Sequence, residues 1–254
     1  LSYEAPMSHG APESQPVDVR ERGAPKDGVP QFLDRRLFMQ LSCFECGPTL
    51  PPARATELLA ARLEKAGMPS VIYEDVHHPH GIGLLGFSEE PADFLSKLRP
   101  ATNGEELIGL TPRPEMSMLG RTYSTGFEQD LPFWVLERPR ATALNAAWPW
   151  AIWYPLRRTG AFERLDAKDR GGIMREHGGI GRSYGDADLA HDIRLACHGL
   201  DQNDNDFVIG LVGKELYPLS HVVQSMRRTR QTAEYMEKMG PFFVGRAVWR
   251  HAGR

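Results

Sequence analysis

The stretch IMREHGGIGRSYG, residues 173–185, sets one histidine, His177, directly before two glycines. Near the last turn of a helix an imidazole can simply face solvent, where its partial positive charge suits the negative end of the helix dipole. Aimed into a cavity, it offers a neutral nitrogen to a metal while a neighbour orients the other ring nitrogen. Gly178 and Gly179 predict a helix stop here, because glycine enters the left-handed conformation without a side-chain penalty. Both uses of His177 stay open on these residues alone.

A second group with chemical potential is CFEC, residues 43–46, together with HHPHG, residues 77–81. If the turn carrying His77, His78 and His80 lies beside the end of the strand carrying Cys43 and Cys46, two thiols and two imidazoles would make a tetrahedral zinc or iron site. A redox dithiol is a second reading. A third is that the cysteines pack as small apolar side chains and the histidines decorate a loop.

The elements that must position these residues follow a repeated order. RLFMQLSCF (36–44) reads as a strand, and PARATELLAARLEKAG (52–67) as a helix with proline at its start and glycine at its end. SVIYEDVH and GIGLLGFS are strands around the HPHG turn, EPADFLSKLRP a short helix, and EMSMLGRTY a closing strand. The same order returns with AIWYPL, a helix opened by Asp166, the strands DIRLACHG and FVIGLVG, one long helix over 218–238, and FFVGRAVW. The expected fold class is α+β: two ferredoxin-like repeats forming a dimeric α+β barrel within one chain. The expected boundaries are an extended tail over 1–34, a first half over 35–125, a linker over 126–150 and a second half over 151–254.

Composition narrows the partners. The 254 residues are 41% hydrophobic and 25% charged, with a net charge of −3, ordinary values for a globular protein with a sizeable core. A pI near 6.3 argues against a nucleic-acid binder, which would carry a basic stripe. No apolar run approaches the roughly 20 residues of a membrane helix. The first thirty residues lack the basic start and apolar centre of a signal peptide, and read as a mobile tail or a strap over a neighbouring subunit. Three cysteines, too few for an even disulfide framework, fit a reducing cytoplasm.

The second half resembles the chlorite dismutase family of haem proteins, which includes the coproheme decarboxylases. The resemblance rests on WYPLRRT (153–159), MREHGGIGRSYG (174–185), HGLDQNDNDF (198–207) and MRRTRQTAEYMEKMGPFFVG (226–245), in that order. It implies a proximal role for His177 as ligand of haem iron, a propionate contact for Arg182, and a second for Arg158. It implies a radical-forming role for Tyr154, with simple packing of a strand tyrosine as the equal alternative. The distal position falls on Asp192, where relatives carry glutamine or arginine, with Arg194 two residues on and His198 near the same face. On the proximal side, Arg230 stands where relatives carry a glutamate that accepts a bond from the histidine. The barrel interior is expected to supply a dry pocket, with His177 facing Asp192 and Arg194 across it.

The function so implied is a haem-binding oxidoreductase with haem b or coproheme as cofactor and peroxide-type chemistry on a tetrapyrrole or small-molecule substrate. Chlorite decomposition to chloride and dioxygen is the alternative, and a non-catalytic haem carrier, sensor or cofactor-free relative a third. The resemblance also implies a homo-oligomer, a pentamer in the family's full-length members.

Overall fold

A computed structural model describes residues 16–253. Its strands are β1 (Glu21–Lys26), β2 (Val29–Leu33), β3 (Phe38–Cys46), β4 (Ser70–Asp75), β5 (Gly81–Ser88), β6 (Leu110–Pro112), β7 (Met118–Arg121), β8 (Trp150–Arg158), β9 (His191–Ala196), β10 (Phe207–Gly213), β11 (Met236–Met239) and β12 (Phe243–His251). The helices are α1 (Pro52–Ala66), α2 (Arg99–Thr102), α3 (Arg138–Leu144), α4 (Gly160–Glu163), α5 (Ala167–Asp186), α6 (Leu216–Met226) and α7 (Arg230–Tyr235), and wide helical turns at Phe94–Leu98 and Phe133–Glu137 lead into α2 and α3. No helix among the described residues is long and apolar enough to cross a membrane.

The main sheet is antiparallel and runs β10-β9-β7-β3-β5-β4-β12-β8, and β10 also pairs with β8, so the path closes on itself. In each half the strands lie side by side in the order fourth, first, third, second. Strand alternation then sorts side chains to two faces. Met39, Leu41, Tyr73, Leu85, Trp153, Ile193, Leu195, Val208 and Phe243 fill the inside of the closed sheet. On the outside, Ile72, Ile82 and Leu84 are covered by Ala55, Leu59 and Leu63 of α1. In the second half Ile152, Tyr154, Leu156, Phe207 and Leu211 are covered by Leu219 and Val222 of α6. Among the described residues the interior is therefore a packed core rather than the expected dry pocket.

Three boundaries differ from the sequence expectation. The tail 1–34 is not extended throughout: residues 21–33 form a hairpin whose turn holds Asp27 and Gly28 at φ 51° and 78°, the Asp-Gly signature of a tight hairpin turn. The part of the tail over 1–15 lies outside the described residues. The linker 126–150 carries α3. The long helix expected over 218–238 is broken at Thr229, which is extended at φ −70° and ψ 151°, takes a hydrogen bond from the Thr232 N–H and starts α7; the chain beyond becomes β11 on the edge of β8.

The largest departure is in α5, which runs through Gly178 and Gly179 to Asp186. Glycine permits the helical conformation as well as the left-handed one, so packing decides. Ile173, His177, Ile180 and Tyr184 recur at i, i+4, i+7 and i+11 on one face, and the Tyr184 hydroxyl bonds His221 and, at 3.0 Å, Ser225 of α6. A Cβ added at Gly178 or Gly179 would meet nothing within 4 Å. Gly178→Ala and Gly179→Ala are each expected to stabilise the protein by about 0.4–1 kcal/mol, chiefly by restricting the unfolded chain. Urea unfolding checks this; destabilisation by either variant would refute the assignment of these glycines to an open helix face.

Candidate functional site

Strand β8 enters the second half with Tyr154 on its outer face, level with Ile209 on β10 and Arg194 on β9. One row along, Ile152, Leu211 and Asp192 share the same face. Helix α5, capped by the Asp166 carboxylate on the Asp169 N–H, lies beside these strands. His177 thus sits on the covered side of a mid-helix turn, not at a helix end, and it faces the outside of the sheet rather than the barrel interior.

His177 Nδ1 is buried and has no hydrogen-bond partner among the described residues. Burial first, then the nearby positive charges of Arg158 and Arg194, push its pKa down to about 4, against weaker pulls from Asp192 and Glu176. The imidazole is therefore neutral across the physiological range, with a lone pair to give. Glu176 does not supply the missing partner, since its carboxylate accepts the Arg230 N–H at 3.1 Å. The Arg230 guanidinium is turned to Glu234 at 3.3 Å.

The arginines here are held in different ways. Arg158 is sandwiched between the rings of Phe162 and Phe207, 4.4 Å from each centroid, and its Nε is buried without a partner. Burial depresses its pKa, with Tyr123, Glu163 and Asp206 opposing, and its Nη1 lies 3.8 Å from the Glu163 carboxylate. Asp192 is clamped: Arg138 Nη2 approaches one carboxylate oxygen at 2.7 Å and Arg194 Nε the other at 3.1 Å. Burial works against that carboxylate, but the two guanidiniums outweigh it and its pKa lies below the ordinary range. Arg194 gives only its Nε to this pair.

Tyr154 is buried and stacks on Phe242, with centroids 4.8 Å apart. Burial, and then the Asp192 charge, raise its pKa well above the ordinary phenol range. Tyr123, which no sequence pattern marks, is half-buried against Phe207 at 5.6 Å. Its pKa is raised by burial while Arg194 and Arg158 oppose, so it too belongs to this group. Arg138, in the supposed linker, was also missed, since nothing in its neighbourhood of sequence marks it.

Two expected contacts fall outside the group. Arg182 is exposed; five residues after His177 it lies about 140° around the helix. His198 is in the turn after β9, its side chain 58% exposed and 3.4 Å from Asp206.

The Cys/His cluster does not form a metal site. The turn does reach the end of β3, where the Cys46 N–H donates to the His80 carbonyl at 2.8 Å. Cys43 and Cys46 are an odd number of residues apart on one strand, so they face opposite sides. Cys43 joins the barrel interior and Cys46 the layer under α1. Burial pushes their thiols up to about 12 and about 11, so both are protonated at neutral pH. His78 is 4.0 Å from Glu45, its ring lies 6.4 Å from that of His80, and His77 lines a cavity with residues of α6 and Phe242. No group of three or more His, Cys, Asp or Glu side chains among the described residues is arranged to hold a metal ion.

The family model described as chlorite dismutase matches residues 108–248, more than half of the chain. The chain belongs to the chlorite dismutase family. Solved structures agree in fold. A haem-binding protein from Thermus thermophilus superposes with a TM-score of 0.67 at 20% identity, over 85% of this chain and 92% of that one. Chlorite dismutase from Candidatus Nitrospira defluvii in complex with imidazole gives 0.65 at 16% identity, over 84% and 91%. No curated protein sequence matches this chain. The match spans β6 through most of β12 and so contains His177, Arg158, Tyr154, Asp192 and Arg194.

Proposed function

We propose that the protein is a haem-binding oxidoreductase whose two halves are ferredoxin-like repeats and whose second half holds haem or coproheme, with His177 as the iron ligand. The observation that carries this is the neutral, half-buried His177 imidazole, whose buried Nδ1 has no partner among the described residues, set among Arg158, Arg194 and Asp192. Membership of the chlorite dismutase family and the likeness to a haem-binding protein support it. A neutral imidazole suits iron, and guanidiniums suit the tetrapyrrole's carboxylates, so the residues present fit the group.

Bound haem would supply redox-active iron. The chain's part is to bind, orient and hold protons. Arg158, immobilised between two rings, presents a fixed cation to a carboxylate. Tyr154 keeps its proton on Oη at neutral pH and is placed to give up a hydrogen atom from there, which favours peroxide-type chemistry on a tetrapyrrole substituent. Arg194 favours the second reading, chlorite decomposition, because its Nη groups remain for an anion after Nε has been given to Asp192.

Titration of the purified protein with haemin tests the proposal: a saturable Soret band at one equivalent is expected, and its absence overturns the reading. Turnover with coproheme plus peroxide, set against turnover with chlorite, separates the two chemistries.

A further inference from the structure

Tyr184 is the one tyrosine among the described residues whose hydroxyl meets a histidine nitrogen, Nδ1 of His221 on α6. Ser225, four residues after His221, reaches the same hydroxyl at 3.0 Å. A phenol has a single proton to give. The arrangement that satisfies all three groups therefore has Ser225 donating to Tyr184 Oη and Tyr184 donating to His221. Tyr184 is half-buried and His221 is exposed. Tyr217, four residues before His221 and 75% exposed, sets its ring 5.8 Å from the imidazole.

Tyr184 shares a face of α5 with His177. Seven residues close nearly two turns of helix and rise about 10 Å, a separation that an electron crosses without a carrier between. Losing one electron turns a phenol into a strong acid, so a tyrosine with a base on its hydroxyl is oxidised more readily than one without. Tyr154 is placed differently: it is buried against Phe242, so whatever it oxidises must already lie within the site. Tyr184, with its proton acceptor open to solvent, leads outward instead.

We propose that Tyr184 and His221 form a surface oxidation site, at which small phenols and related aromatic reductants are oxidised one electron at a time. The inference rests on the haem reading above, with hydrogen peroxide as the oxidant. One electron passes from the Tyr184 ring toward the haem, and the Oη proton moves to His221 Nδ1. This leaves a tyrosyl radical and an imidazolium that releases its proton to solvent. A phenol then gives a hydrogen atom to Tyr184 Oη, which restores the tyrosine and leaves a phenoxyl radical. Two such rounds take two hydrogen atoms from two phenols and reduce one peroxide to two waters. Tyr217 and His221 supply adjoining exposed rings on which an aromatic reductant stacks.

The test loads the full chain with haemin, adds peroxide in the presence of a nitroso spin trap, and locates the adducts by peptide mass spectrometry. Trapping at Tyr184 is expected, and adducts confined to other residues overturn the inference. Guaiacol oxidation is the second measurement. Tyr184→Phe keeps the ring and removes the hydroxyl, and His221→Gln keeps an acceptor without a base. Each is expected to lower kcat about 100-fold, the low end of what a positioned proton acceptor contributes. Haemin affinity and the Soret band should stay as in wild type for both, which separates an electron outlet from a change at the iron. Equal guaiacol rates for wild type and Tyr184→Phe overturn the inference and leave the haem reading standing. A wild type that binds no haemin overturns both.

Discussion

His177→Ala is expected to lower haemin affinity by about 100-fold or more and to shift the Soret band to that of an iron without a protein ligand. A residue serving only to cover a helix face would change folding stability and leave the haemin spectrum alone. The same substitution has a signature in the ligand-free protein. The folded-state pKa of His177 is about 4 against an ordinary value of 6.5, so between these values the unfolded chain binds the proton and the folded chain does not. Stability contributed by His177 is therefore full above pH 6.5, falls as the pH drops towards 4, and by then has declined by up to about 3 kcal/mol. His177→Ala should flatten this part of the profile. Urea unfolding at pH 7 and pH 4.5 measures it, and the difference between wild type and variant isolates the contribution of His177 from those of all other groups. If haemin binds both proteins with one spectrum and one affinity, the ligand assignment is wrong.

Trp153→Ala is expected to cost about 3–5 kcal/mol, the range for emptying a large aromatic site in a closed core. Trp153 is 0% exposed. It stands opposite Gly210 on β10, and a Cβ at Gly210 would come within 2.5 Å of the indole. Glycine in a strand is unfavourable by itself; here it makes room for the ring. A Cβ at Gly83 would likewise lie 2.4 Å from the ring of Phe243, which packs edge-on to Tyr73 at 6.1 Å. The interior is thus filled by aromatic rings laid over glycines, with no allowance for a cofactor. Denaturant unfolding gives the loss directly. Gly210→Ala should also destabilise, by overpacking, and adding it to Trp153→Ala should cost less than the two single changes summed, because the clash needs both partners. A Trp153→Ala loss below about 1 kcal/mol would mean the interior is not packed as described.

Period and punctuation made much of this protein legible in its residues. GIGLLGFS and FVIGLVG are strands over the residues read from the sequence, and Pro52 and Gly67 bound α1 as their types require. The four long strands of each half followed from local patterns, and the four stretches that carry the family resemblance lie within the matched residues 108–248. The sequence by itself also singled out His177, Arg158, Tyr154, Asp192 and Arg194. What it could not decide was which surface each side chain shares. Gly178 and Gly179 allow a helix to stop or to continue, and only the packing of Ile180 and Tyr184 against α6 chose continuation. Cys43 and Cys46 are close in sequence but lie on opposite faces of a pleated strand. Arg138 and Tyr123 meet the Asp192 group from segments 54 and 69 residues away. Local propensity fixes the elements because its causes lie within a few residues. The candidate group is set by contacts between distant segments, and it lies on the outer face of the sheet because aromatic rings fill the barrel interior.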